Sequence, residues 1–168
     1  MFINEKLQIE EYNYPLYRKN NPIFKSIIEN EEKIDHSDCK SEMTKWDLHF
    51  KYKEISDFIN WVIGITEDTM IRPYNGYFSL MCVNSWGLIC NKGNYVEEHR
   101  HERSNFSFVY YINSPKGSSP LVFTTSGYEV KPQEGKLVVF NSALLHCVPI
   151  NKCDARYSLI GVLSDKRE

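Results

Sequence analysis

From about residue 77 onward the chain breaks into short β-prone runs, each closed by a turn signal, and this constrains the fold more than any other feature. "YFSLMCVNSWGLICNKG" carries apolar residues at alternate positions and ends in the turn Lys92-Gly93-Asn94. "FSFVYYI" stops at "NSPKGSSP", "LVFTTS" at Gly127 and "YEVKP" at "PQEG". "KLVVF", "LLHCVPI" and "RYSLIGVL" follow. About seven or eight such strands predict an antiparallel sandwich or barrel, with two small sheets facing each other in a jelly roll. The interior of such a roll is a natural small-molecule pocket.

Residues 1–75 have a different texture, charged and locally helical. In "EISDFINWVIGITEDTM", Ile55, Phe58, Ile59, Val62 and Ile63 recur at three- and four-residue steps and share one helical face. Pro73 cannot continue that helix. "NPIFKSIIENEEK" reads as a second, weaker helix with Pro22 in its first turn. Both are expected to cover the back of a sheet. The 168 residues suit one domain with its own core, a partly helical support over 1–75 and a jelly-roll core over 76–164. The fold class read from these patterns is thus mainly β with flanking helices, arranged as a jelly roll.

Composition excludes several roles. A net charge of -2 shows no strong nucleic-acid signal and no field for an anionic membrane. No run approaches the ~18–20 apolar residues of a membrane span. The start "MFINEKLQIEEYNYP" lacks the layout of a secretory signal. Five cysteines without a C-x-x-C pair read as free thiols in a reducing compartment, so a cytoplasmic protein is expected, without a cysteine zinc site.

The chemistry concentrates in "VEEHRHERS". On an extended strand His99 and His101 project to the same face, with Cβ atoms ~6–7 Å apart. Metal–nitrogen bonds of roughly 2.0–2.2 Å let two such imidazoles reach one ion. H-x-H alone is more readily a surface pair in a charged loop than a metal site. His146 in "EGKLVVFNSALLHCVPI" raises the significance of the pair, because a jelly roll can lay its strand beside the one carrying His99. His36 and His49 fall outside the β region and read as structural. In "RYS", Arg156 and Ser158 face the same way, and an Arg pointing into a barrel must find an anion. Its fork suits a carboxylate, with Ser158 adding a hydrogen bond.

The segment "NSWGLICNKGNYVEEHRHERSNFSFVYYINSPKGSSPLVF…EGKLVVFNSALLHCVPINKCDARYSLIGVL" resembles the 2-oxoglutarate/Fe(II)-dependent oxygenases, and is most similar to the oxygenase group common in phages and marine bacteria. "TKWDLHF" upstream is similar to that group's N-terminal part. The resemblance covers about residues 44–163 and is strongest from Trp86 onward. It implies a double-stranded β-helix core, a jelly roll of cupin-like form, with Fe(II) bound by His99, His101 and His146. It also implies 2-oxoglutarate chelating the metal and held at its distal carboxylate by Arg156 and Ser158. Tyr110 or Tyr111 would line the pocket, since neighbours on a strand face opposite ways. Asn84 and Trp86 share one strand face. The implied reaction is O2-dependent hydroxylation of a prolyl or other protein residue, or of a small molecule, with release of succinate and CO2. It would take place in the cytoplasm, the host's if the chain is phage-encoded.

One position departs from the superfamily pattern. His101 stands where H-x-D or H-x-E is usual in the two-histidine, one-carboxylate triad. A bulge would be needed for Glu98 or Glu102 to become the third ligand instead. Two other readings remain open at this level. One is a cupin-type three-histidine metalloenzyme without a keto acid, since Gly93 followed by His99-x-His101 also fits a cupin's first motif. The glutamate expected there after the second histidine is missing, with Asn105 and Phe106 in its place. The other is a non-enzymatic jelly-roll binding protein.

Overall fold

The computed structural model describes residues 8–74 and 79–167. The expected strand start at Tyr77–Phe78 and the 75/76 boundary lie outside the described residues.

The body of the fold is one curled antiparallel sheet, the double-stranded β-helix. Its strands are β1 (Ile9–Asn13), β2 (Lys33–His36), β3 (Cys39–Thr44), β4 (Leu80–Cys90), β5 (Tyr95–His99), β6 (Phe106–Asn113), β7 (Leu121–Phe123), β8 (Tyr128–Val130), β9 (Lys136–Asn141), β10 (His146–Val148) and β11 (Arg156–Asp165). They are ordered β1-β9-β6-β11-β4-β3-β5-β10-β7-β8, with β2 beside β3. One half, β1-β9-β6-β11-β4, is broad. The other, β5-β10-β7-β8, is narrow. β3 joins them by pairing Met43 with Leu88 of β4 and Cys39 with Val96 of β5.

Among the described residues, three α-helices accompany the sheet: α1 (Tyr17–Asn30), α2 (Leu48–Lys51) and α3 (Lys53–Thr66). The periodicity over 54–70 is realised in α3, where Ile55, Phe58, Ile59 and Val62 are buried and Ile63 packs at the margin. Burying each such side chain contributes about 1.5–3 kcal/mol. The helix widens into a π-turn over Glu67–Ile71 and then tightens into a 3-10 turn over Arg72–Tyr74, where Pro73 lies. The weaker helix starts earlier than expected, at Tyr17, so Pro22 falls inside α1. α1 lies close on β4. A Cβ on Gly87 would sit 2.3 Å from Cγ1 of the buried Ile28, so only glycine fits there.

Period-two alternation divides the residues of the broad half between two cores. Phe108, Tyr110 and Ile112 of β6, Leu137 and Val139 of β9, and Leu159 and Leu163 of β11 pack under the helices. Val109 and Tyr111, Val138 and Phe140, and Ile160 face inward. There they meet Leu121, Phe123, Val130 and Val148 of the narrow half. This second core is the inside of the roll, and the cavity opens within it.

The N-terminal region is more than a helical support. β1 pairs along β9 from Ile9↔Phe140 to Asn13↔Lys136, and β2 and β3 extend the sheet beside β4 and β5. With β5 these three raise the strand number among the described residues above the seven or eight expected.

Candidate metal centre

His99 is the last residue of β5 and His146 the first of β10, and the two are direct antiparallel partners. The register of two neighbouring strands that are distant in sequence therefore sets this pair of imidazoles, with ring centroids 4.4 Å apart. His101 lies just beyond β5 rather than on it. Its backbone N–H donates to the Ser142 carbonyl at 3.1 Å, and Ser142 N–H donates to Asn105 O at 3.1 Å. The Ser107 and Ser142 hydroxyls add a 2.7 Å bond, which ties the loop after β5 to the turn before His146. The His101 ring comes to 5.0 Å from His99 and 5.3 Å from His146.

One ligand nitrogen from each of the three lies within 4.8 Å of the other two, a separation that lets all three bind one ion. Two of them have a defined tautomer. His99 Nδ1 is 2.8 Å from Glu97 O and His146 Nδ1 is 2.8 Å from Leu144 O. A carbonyl only accepts, so each Nδ1 carries the proton and each Nε2 presents its lone pair. Burial, with the neighbouring imidazoles adding to it, pushes the His101 pKa down to about 3 and that of His146 down to about 4. Both are neutral at physiological pH, the form that binds a cation. No carboxylate belongs to this cluster among the described residues. Glu98 is exposed, and Glu102 is exposed and paired with Arg100 at 2.9 Å, so neither takes the third position.

The cavity beside the histidines has a volume of about 530 Å³. Arg156, 1% exposed, is set into it from the start of β11. Its Nη1 donates to Ser158 Oγ at 3.2 Å, as the shared strand face requires. Among the described residues, Nε and Nη2 are buried without a hydrogen-bond partner, and so is the Tyr111 hydroxyl. The guanidinium lies 5.2 Å from the centroid of the Tyr111 ring. Burial raises the Tyr111 pKa, and the Arg156 charge partly offsets this, so the phenol stays protonated. A buried cation with two unpaired donors is costly unless an anion joins it. The residues therefore fit a carboxylate-bearing molecule at the inner end of the cavity as well as a metal at the histidines.

The two tyrosines are separated by the sheet. Tyr111 is the inward one, against Arg156. Tyr110 points to the helices and donates to Asn21 Oδ1 at 2.5 Å, away from the cavity. Asn84 and Trp86 both line the cavity. The mouth also receives His36, Asp38 and Trp46 from the N-terminal region. His36, expected to be merely structural, meets the Trp46 ring edge-on at 6.0 Å. Only "TKWDLHF" drew attention to this part of the chain, because a polar hairpin such as β2–β3 shows little alternation. His49 lies away from the cavity, its Nδ1 2.9 Å from Ser85 Oγ.

No family model matches the sequence, and no curated protein matches it. Solved structures do match the fold. Viral collagen prolyl hydroxylase from Paramecium Bursaria Chlorella virus-1, in its 2OG complex, superposes with a TM-score of 0.69 at 13% identity, over 92% of this chain and 94% of that one. A Pseudomonas putida prolyl-4-hydroxylase gives 0.70 at 17% identity, over 96% and 94%. HygX from Streptomyces hygroscopicus, with nickel and 2-oxoglutarate bound, gives 0.66 at 12%, over 95% and 84%. The chain shares the double-stranded β-helix fold of these enzymes along nearly its whole length.

Proposed function

We propose that this chain is a 2-oxoglutarate- and Fe(II)-dependent oxygenase that uses O2 to hydroxylate a C–H bond, with release of succinate and CO2. One observation carries the reading: three convergent imidazoles and a buried, half-unpaired Arg156 fork share one cavity. His99, His101 and His146 would hold the metal. Arg156, Ser158 and Tyr111 would hold the distal carboxylate of the keto acid. Bound together, iron and keto acid would activate O2: the keto acid would be oxidised to succinate and CO2 and take up one oxygen atom, leaving the other for the substrate C–H bond, chemistry that the side chains lack. Leu88, Leu121, Val148 and Ile160 line the cavity and exclude water around the site. Asn84, Trp46 and Val83 stand at the opening, where a substrate would be oriented.

The substrate proposed is a prolyl or other protein residue. Two of the similar folds are prolyl hydroxylases, and the half-exposed Trp46 and Val83 offer an apolar surface to a pyrrolidine ring. The whole chain acts as one domain. The motif resemblance, with one similar fold being viral, supports the group found in phages and marine bacteria, and action in the cytoplasm belongs to the same proposal. Succinate formation from 2-oxoglutarate by Fe(II)-loaded protein in air, stimulated by a prolyl peptide, is the test. Absence of both turnover and 2-oxoglutarate binding removes the reading.

A three-nitrogen ligand set without a carboxylate also suits a cupin-type metalloenzyme that uses no keto acid. That reading leaves Arg156 without a role. Keto-acid binding that depends on Arg156, with metal binding independent of it, decides between the two.

A further inference from the structure

The three histidines are not anchored alike. His99 and His146 each have Nδ1 hydrogen-bonded to a backbone carbonyl, which fixes ring orientation as well as tautomer. His146 is further packed against Phe140, with ring centroids 4.8 Å apart. For His101 only the backbone is pinned, through its N–H to Ser142 O and through its carbonyl, which accepts from Ser104 Oγ at 3.2 Å. Neither ring nitrogen of His101 has a hydrogen-bond partner among the described residues. A histidine held only by its backbone retains two free side-chain torsions. From outside the triad, the one aromatic ring packed on it among the described residues is Trp86, at 5.7 Å between centroids and 64° between planes.

Trp86 is well placed to act as a rigid wall. It sits mid-way along β4, paired with Ile160 of β11 and packed against the inner core. An indole edge-on to an imidazole restricts rotation without using either nitrogen. The ring contact leaves both nitrogens of His101 available, and Trp86 and His101 line the cavity together.

We infer that Trp86 is the positioning residue for His101, supplying by ring contact the orientation that hydrogen bonds supply to His99 and His146. The inference rests on the proposed metal centre and assigns a second residue to the position where a carboxylate is replaced. An imidazole needs its ring plane set as well as its reach, and here an aromatic wall sets it. Trp86 thereby acts on ligand geometry through His101, without touching the ion.

The test is a double-mutant cycle on metal affinity. Anaerobic Co(II) is titrated into the full-length protein and followed by its visible absorption bands, which report coordination geometry independently of turnover. Loss of an orienting partner typically weakens a metal site about 10–100-fold. Trp86→Ala is expected to weaken Co(II) by that factor and to shift the bands toward those of His101→Ala. Trp86→Phe keeps a ring and is expected to restore both. In the His101→Ala background, Trp86→Ala should cost nothing further, because the residue it positions is gone. Circular dichroism of each variant controls for folding. If Trp86→Ala leaves affinity and spectrum at wild-type values, or weakens both backgrounds equally, Trp86 is ordinary packing and only this inference falls. If wild-type protein binds no Co(II) through the three histidines, the metal centre falls and the inference with it.

Discussion

Replacing Arg156 with Met separates what the residue does for ligand binding from what it costs the fold. In the ligand-free protein the guanidinium is buried, bonded to Ser158 and facing Tyr111, with Nε and Nη2 unpaired. Exchanging a poorly compensated buried charge for an apolar side chain of similar length is commonly stabilising by about 1–4 kcal/mol. For a chain of this size that corresponds to a rise in Tm of about 3–12 °C. The same change removes the two donors available to a carboxylate. Hydrogen bonds between charged partners contribute about 1.5–3 kcal/mol each, so losing two costs about 3–6 kcal/mol, or about 10²–10⁴ in Kd. Arg156→Met should therefore melt higher than wild type without ligand, bind 2-oxoglutarate far more weakly, and gain no thermal shift from it. Thermal unfolding of metal-free protein and calorimetric titration of 2-oxoglutarate into Ni(II)-loaded protein measure the two sides. A variant that melts lower, yet binds 2-oxoglutarate within about threefold of wild type, would refute the reasoning. Arg156 would then be structural, and its open donors would not be a carboxylate site.

Further outcomes follow from the same geometry. Tyr110→Phe breaks the bond to Asn21 and should cost about 1–3 kcal/mol in urea unfolding while leaving 2-oxoglutarate affinity alone, whereas Tyr111→Phe should do the opposite; equal effects of the two would contradict the assignment of faces. Gly87→Ala drives a methyl into buried Ile28 and should destabilise by about 1–3 kcal/mol, read from the urea midpoint, and an unchanged midpoint would mean that α1 yields freely. In metal-free protein the pKa values of His101 and His146 lie well below the ordinary histidine value of 6.5, so acid favours the unfolded chain. Stability is then complete above about pH 6.5 and falls as pH drops toward 4, by about 2 kcal/mol per histidine between pH 7 and pH 5; unfolding midpoints that coincide at the two pH values would show the rings to be hydrated.

Much of the fold was legible because its signals are local. The runs from "FSFVYYI" to "RYSLIGVL" form β6 to β11, with the expected turns between them. The periodic face of α3 is buried as its spacing requires. β1 to β3 were not legible. Their side chains are largely polar and half-exposed, and their place in the sheet comes from partners far along the chain, such as Phe140 for Ile9. His36 and Asp38 reach the cavity mouth only because β3 bridges the two halves of the sheet.

The same division runs through the candidate site. The sequence by itself determined which neighbours share a face, because side chains on a strand alternate with a period of two residues whatever surrounds them. Arg156 and Ser158 therefore project together, and Tyr110 and Tyr111 project apart. It could not determine the phase of that alternation, which depends on where the helices lie. Only the tertiary structure turned Tyr111 toward Arg156 and Tyr110 toward Asn21. Only the register of β5 against β10 set His99 opposite His146, and only the loop bonded to Ser142 brought His101 to join them. A pairing register is a property of two segments distant in sequence, so neither segment carries it alone.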